Sequence, residues 1–154
     1  MPKPLKFIDL FAGAGGLSEG FIRAGFEPIA HVEADASACF TLKTRQAFHW
    51  LNKNNKSNIY TDYLNNNITR DELYKAVPQN EINSVINKFI DKETLPEIFQ
   101  ELDNILNNEK IDLIIGGPPC QGLFAHWSCA WQHGQRCKES PLYLLCRISK
   151  TLFS

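Results

Sequence analysis

The sequence predicts an α/β protein built on a doubly wound parallel sheet, and three observations carry that expectation. An apolar, β-prone run, LKFIDLF at residues 5–11, enters a glycine turn, AGAGG at 12–16. A helical stripe and a second strand ending in acids, EPIAHVEAD at 27–35, follow at once. A further apolar run, KIDLIIGG at 110–117, enters a Gly-Gly-Pro-Pro turn. Short apolar runs of this kind are strands buried on both faces, as in parallel sheets covered by helices.

The elements follow in order. LSEGFIRAGF places Leu17, Phe21 and Ala24 on one helical face, with Gly25 set to end the helix. ASACFTLKTRQAFHW, residues 36–50, is a second amphipathic helix, so the chain opens β-turn-α-β-α. Residues 52–67 are rich in asparagine, and within them NIYTDYL reads as a short third strand with Asp62 at its end. Thr69 and Glu72 have the spacing of a capping box. Leu95, Ile98, Phe99, Leu102, Ile105 and Leu106 form a helical stripe, expected to be core. Ile111 to Ile115 then give the fourth strand. From Leu123 onward no period or cap is legible.

Composition narrows the function classes. With 154 residues, 44% hydrophobic and 21% charged, the chain has the make-up of a globular domain with a real core. A net charge of −1 provides no global basic field for nucleic acid, which leaves a local basic footprint open. MPKPLKFIDLF reads as a strand and not a signal peptide, and no apolar run approaches the ~18 residues of a membrane span, so a cytoplasmic protein is expected. Five cysteines, four of them in residues 120–146, contain no Cys-x-x-Cys pair, so neither a disulfide framework nor a zinc site is expected.

The glycine turn and the acid after it form one candidate site. Gly13 and Gly15 permit positive φ and close approach of a ligand, and the following helix N-terminus adds free N–H donors. Glu33 lies twenty residues beyond Gly13, at the end of the second strand, where an acid accepts hydrogen bonds from ribose hydroxyls. No Lys-Ser/Thr pair follows the glycines, which disfavours a phosphate-binding P-loop. Ser18 stands where a third glycine of a dinucleotide fingerprint would be, and an NAD-dependent oxidoreductase remains the alternative reading.

DLIIGGPPCQG is the second candidate site. Two glycines let the chain leave the sheet, and two prolines fix φ and remove donors, so a stiff loop presents Cys120 at the carboxyl edge of the sheet. A following helix N-terminus would raise its thiolate fraction.

Together FIDLFAGAGGLSEGF, VEAD and DLIIGGPPCQG resemble the cytosine-5 DNA methyltransferases, in that family's order and over residues 5–50 and 111–122. The resemblance implies a partial Rossmann-like methyltransferase sheet, its first four strands present and the remainder missing. It implies S-adenosylmethionine as cofactor, with Phe11, Gly13, Gly15 and Leu17 lining its pocket, Glu33 on the ribose and Asp62 facing the adenine amino group. Cys120 would attack C6 of a cytosine, with Pro119 and Gln121 in the substrate loop. The implied reaction is methyl transfer to C5 of cytosine in a specific duplex DNA sequence, with a cognate restriction endonuclease as genetic partner.

The chain departs from the family after Gly122. No Glu-Asn-Val strand end, Arg-x-Arg strand or target-recognition domain follows, and residues 66–108 are longer than the usual connection, which implies an inserted pair of helices. Read one nucleotide later, degenerate codons for Gly122 to Ala130 can spell Ala-Tyr-Ser-Leu-Ile-Gly-Arg-Ala, the continuation such a family would show. Residues 1–122 are therefore expected to be the N-terminal part of a catalytic domain and 123–154 a frameshifted, aberrant tail. An inactive fragment is the expectation, with a half-protein completed by a second chain as the alternative.

Overall fold

The computed structural model describes residues 3–107 and 110–117. The expected tail, 123–154, lies outside the described residues, as do Pro119, Cys120 and Gln121. Four parallel strands, β1 (Lys6–Leu10), β2 (Glu27–Glu33), β3 (Val85–Asn87) and β4 (Leu113–Gly116), lie in the order β3-β2-β1-β4. From β1 the chain winds one way to β2 and β3, then returns to place β4 on the other side of β1. The reversal puts a topological switch point between β1 and β4.

Right-handed crossovers put the helices of the two windings on opposite faces. Helices α1 (Gly16–Arg23) and α2 (Ala36–Lys53) cover one face, where Phe7 of β1 meets Phe21 of α1 with ring centroids 5.6 Å apart. Helix α6 (Leu95–Leu106) covers the other, packing Leu95, Ile98, Leu102 and Leu106 against Ile8, Leu10, Ala30, Val32 and Ile86. Alternate residues of β1 thus feed two different cores. The unbroken burial of that strand follows from this, because both of its faces are covered.

The third strand is not where the sequence places it. NIYTDYL is helix α3 (Ser57–Leu64), and Asp62 sits on it instead of at a strand end. Ile59, Tyr60 and Tyr63 recur at helical spacing and pack against Ala47, Leu51 and Leu73, so the 3.6-residue period overrides the β-propensity of Ile, Tyr and Thr. The true third strand, β3, is three residues long and lies inside the segment expected to be an inserted helical pair. That segment holds α4 (Arg70–Lys75), α5 (Gln79–Asn83), β3 and α6. Only α3, α4 and α5 form an outer layer, packed on α2; β3 and α6 belong to the sheet and its core.

Local signals hold elsewhere. The Thr69 side chain caps the Glu72 N–H and Glu72 returns a carboxylate to the Thr69 N–H at 2.7 Å, closing the capping box of α4. Among the described residues no helix is long and apolar enough to cross a membrane.

The α6 face of the core depends on a few fully buried side chains. Leu102 is 0% exposed, so Leu102→Ala removes buried methyl groups and leaves a cavity, at a cost of about 2–5 kcal/mol. The expected result is a lower urea midpoint with an unchanged slope.

Candidate cofactor site

The site is built where β1 and β2 end side by side. After Leu10 the backbone turns through Phe11 at φ 58°, Gly13 at φ 55° and Gly15 at φ 83°, and α1 starts at Gly16. Positive φ is free for glycine but unfavourable for phenylalanine, so Phe11 is held in a conformation that the surrounding structure must impose. Ala12 N–H donates to Val32 O at 3.2 Å, so the turn continues the β1–β2 pairing past the strand end. A Cβ on Gly13 would meet nothing within 4 Å, which leaves open space beside the turn; one on Gly15 would come within 2.8 Å of Leu42.

Glu33 closes this turn from the β2 side. Its Oε2 accepts from Gly13 N–H at 2.7 Å and its Oε1 from Asp35 N–H at 2.8 Å. Asp35 in turn caps α2, accepting from Ala38 N–H at 2.7 Å. The carboxylate is thus fixed between two loops, with further lone pairs on both oxygens to accept ligand hydroxyls. Asn87, at the end of β3, donates to Glu33 O at 3.0 Å and Ala34 O at 2.9 Å, tying the third strand end to the second.

The structure therefore brings Phe11, Gly13, Gly15 and Glu33 together at one edge, with Leu17 47% exposed on the first turn of α1. It does not bring Asp62 there. Asp62 accepts from Asn67 Nδ2 at 3.1 Å, within the helical layer on α2, and the strand end assigned to it carries Asn87. On the other side of β1, Gly116 of β4 pairs with Leu10, so the chain leaves β4 beside the glycine turn. A Cβ on Gly116 would come within 2.3 Å of Leu10 O, and only glycine permits this pairing.

Beneath the turn lies a group the sequence reading passed over: Asp9, Ser18, His31 and Gln46, all buried. Gln46 Nε2 has only hydrogens to offer, so it donates to His31 Nε2 at 2.5 Å. His31, neutral because burial pulls its pKa down to about 4, then carries its proton on Nδ1 and donates to Ser18 Oγ at 3.2 Å. The Ser18 hydroxyl donates to Asp9 Oδ2. Four elements, α2, β2, α1 and β1, are linked in one directed chain. Its signal in the sequence was an ionisable residue inside each of two apolar strands.

Other groups are tied up elsewhere. Burial pushes the Cys39 thiol up, away from the thiolate that a nucleophile needs. A groove of about 780 Å³ on the outer side of α2 is lined by Arg23, Arg45, Phe48, Tyr60 and Arg70. Glu19 occupies two of those arginines, at 3.1 and 3.0 Å, together with His49 at 2.9 Å. Among the described residues no three His, Cys, Asp or Glu side chains are grouped to hold a metal ion.

Comparison with known proteins relates the sequence to a family. Residues 5–78 match the family described as C-5 cytosine-specific DNA methylase. The type II methyltransferase M.Bpa9945I of Bacillus paralicheniformis is 37% identical over 134 residues, covering 74% of this chain and 30% of that protein. The DNA (cytosine-5)-methyltransferase PliMCI of Paracentrotus lividus is 36% identical over 120 residues, 77% of this chain and 6% of that protein. The type II methyltransferase M.AquIA of a Picosynechococcus strain is 33% identical over 118 residues, 77% of this chain and 33% of that protein. The chain thus spans a third or less of these relatives. No solved structure matches it at a significant level.

His31 makes the fold sensitive to acid in a defined window. Its folded pKa of about 4 lies below the ordinary 6.5, so unfolding takes up a proton between those values. Stability is complete above pH 6.5 and falls as pH drops towards 4, by about 3 kcal/mol at most. His31→Asn is expected to flatten urea-derived stability across this window, and an unchanged slope would show that the acid sensitivity lies elsewhere.

Proposed function

By its residues 5–78 the chain belongs to the C-5 cytosine-specific DNA methylase family, and on that premise we propose that the described domain is the S-adenosylmethionine-binding part of a DNA (cytosine-5)-methyltransferase. The observation that carries this reading is the Gly13 N–H bond to Glu33 Oε2, which sets the acid we assign to the ribose against an open glycine turn. The residues fit such a cofactor. Phe11 stands at the turn, partly buried against the Ile8 and Leu10 core, Glu33 has acceptor capacity for two hydroxyls, and the space beside Gly13 is open.

Bound S-adenosylmethionine supplies an electrophilic methyl group on a sulfonium. The chain's own part begins with Glu33, which fixes the nucleoside end, and with the α1 N-terminus, whose free N–H groups receive a carboxylate. Cys120 follows Gly117 by three residues, and we assign it the role of nucleophile, with Pro119 and Gln121 shaping its loop. Its thiolate adds to C6 of cytosine and leaves C5 enamine-like, able to take a methyl group; loss of the C5 proton then expels the thiolate. The target base must leave the duplex for this addition. Duplex DNA is thus the substrate, and a restriction–modification setting with a cognate endonuclease in the cytoplasm is the context that fits.

Residues 1–154 contain no Glu-Asn-Val or Arg-x-Arg segment to hold the flipped base. The 154-residue chain is therefore expected to bind cofactor without turning over. A radiolabelled methyl-transfer assay on duplex DNA should stay at background, and a second chain carrying those segments should restore it.

Cofactor binding is the direct test. Calorimetry is expected to show S-adenosylmethionine binding and no NAD binding. Glu33→Ala should weaken the former by about ten- to a hundredfold, the worth of a charge-assisted hydrogen bond. Asp62→Ala should leave it unchanged. NAD binding in place of S-adenosylmethionine would overturn the reading.

A further inference from the structure

The groove on the outer side of α2 has no part in the cofactor reading, yet its make-up is far from neutral. Arg23 of α1, Arg45 of α2 and Arg70 of α4 line it together with His49, and among the described residues Glu19 is its single acid. The chain as a whole carries a net charge of −1, so this positive surplus is local. Glu19 does not cancel it. Its carboxylate takes Arg23 Nε at 3.1 Å and Arg45 Nη1 at 3.0 Å, so two positive charges share one negative. Burial pushes the Glu19 carboxyl up, but His49, Arg23 and Arg45 outweigh it and hold the group below the usual range.

The arginines are fixed without being used up. Arg23 and Arg45 each give one of their five N–H donors to Glu19. The Arg70 guanidinium lies 3.9 Å from the Phe40 ring centroid, and such stacking orients the planar group while its N–H donors stay at the rim. Fixed forks with surplus charge suit phosphate, which they meet through paired charge-assisted hydrogen bonds. The other rings pack on one another, Phe48 on Tyr60 at 4.8 Å and Tyr60 near Tyr63 at 6.0 Å between centroids. With those faces engaged and Phe40 under Arg70, unstacked bases of a single strand find little to stack on, whereas the outside of a duplex presents phosphates and sugars alone. From Ser37 to His49 the groove follows α2 for about 18 Å at the helical rise, over which one strand of a duplex passes about five phosphates.

We propose that this groove is a sequence-independent docking surface for the phosphate backbone of duplex DNA, held by Arg23, Arg45 and Arg70 and separate from the glycine turn. The choice of duplex DNA as the polyanion rests on the methyltransferase reading above; the anion-binding surface itself stands on the three arginines. Contacts of this kind carry no base information, and they retain and orient a duplex whose sequence is read elsewhere. Glu19 sets their strength, because its carboxylate competes with phosphate for two of the three guanidinium groups.

The test is fluorescence anisotropy of a labelled duplex of arbitrary sequence, titrated with the 154-residue chain across a range of salt concentrations. Binding is expected in the range of about 10⁻⁶ to 10⁻⁴ M, with a slope of log affinity against log salt near −3, about one unit for each arginine. Arg23→Gln combined with Arg70→Gln changes two exposed side chains and should bring that slope to about −1 with a matching loss of affinity at low salt. Glu19→Gln should act in the opposite direction and tighten binding. S-adenosylmethionine binding by the double variant should equal that of the wild type, and failure of the wild type to bind cofactor removes the cofactor reading without deciding the arginine test. An unchanged slope in the double variant assigns any DNA binding to other residues, such as Arg136, Lys138, Arg147 and Lys150, and overturns the proposal. Tighter binding of a single strand of the same length overturns it too, as does equal displacement of the duplex by polyglutamate of matched charge.

Discussion

One hydrogen bond, from Gly13 N–H to Glu33 Oε2, joins the two loops on which the site depends. It forms only because the chain after β1 can take positive φ, and because β1 and β2 run parallel and end at the same level. Parallel pairing in turn requires a crossover helix, and α1 starts directly from the turn with Gly15 as its N-cap residue. The turn is thus at once the connection that makes the sheet parallel and the place where open space borders Gly13. Gly116 extends the same constraint to the other side of β1, since a side chain there would collide with Leu10 O.

The parts of the fold that were legible in the sequence are those where local pattern and tertiary demand agree. β1, the glycine turn, α1, β2 and α2 read correctly because each is long enough to show its period and is bounded by glycines or a capping acid. The third strand did not read. Val85–Asn87 is too short for a period and is flanked by Asn and Ser, while the β-prone Ile-Tyr-Thr segment earlier in the chain is drawn into helix α3 by Ala47, Leu51 and Leu73. The misplaced strand carried Asp62 with it. Glu33 was legible because its strand was; the residue at the β3 end, Asn87, was hidden with its strand.

The buried polar group was missed for a different reason. Sequence patterns register apolar residues, and a lone Asp or His within an apolar strand reads as noise unless its partners are known. Those partners come from Ser18 on α1 and Gln46 on α2, brought to β1 and β2 only by the crossovers. Such a network costs stability unless every member is satisfied, and here all but Asp9 Oδ1 are. An incompletely satisfied network next to a candidate site is where a fold would give up stability for function.

The division of labour within this family follows from the sheet. β1 sits at its centre, flanked by β2 and by β4, and the described half closes its own core with α6 on one face and α1 and α2 on the other. The glycine-turn edge is therefore built from the ends of β1 and β2, with β4 beside it. Among the described residues β4 pairs on one side only, with β1. An unpaired parallel strand is an edge with free backbone donors and acceptors, open to pairing. On the proposed reading, cofactor affinity would be set by residues before β4, and methyl transfer would depend also on what pairs with its outer edge.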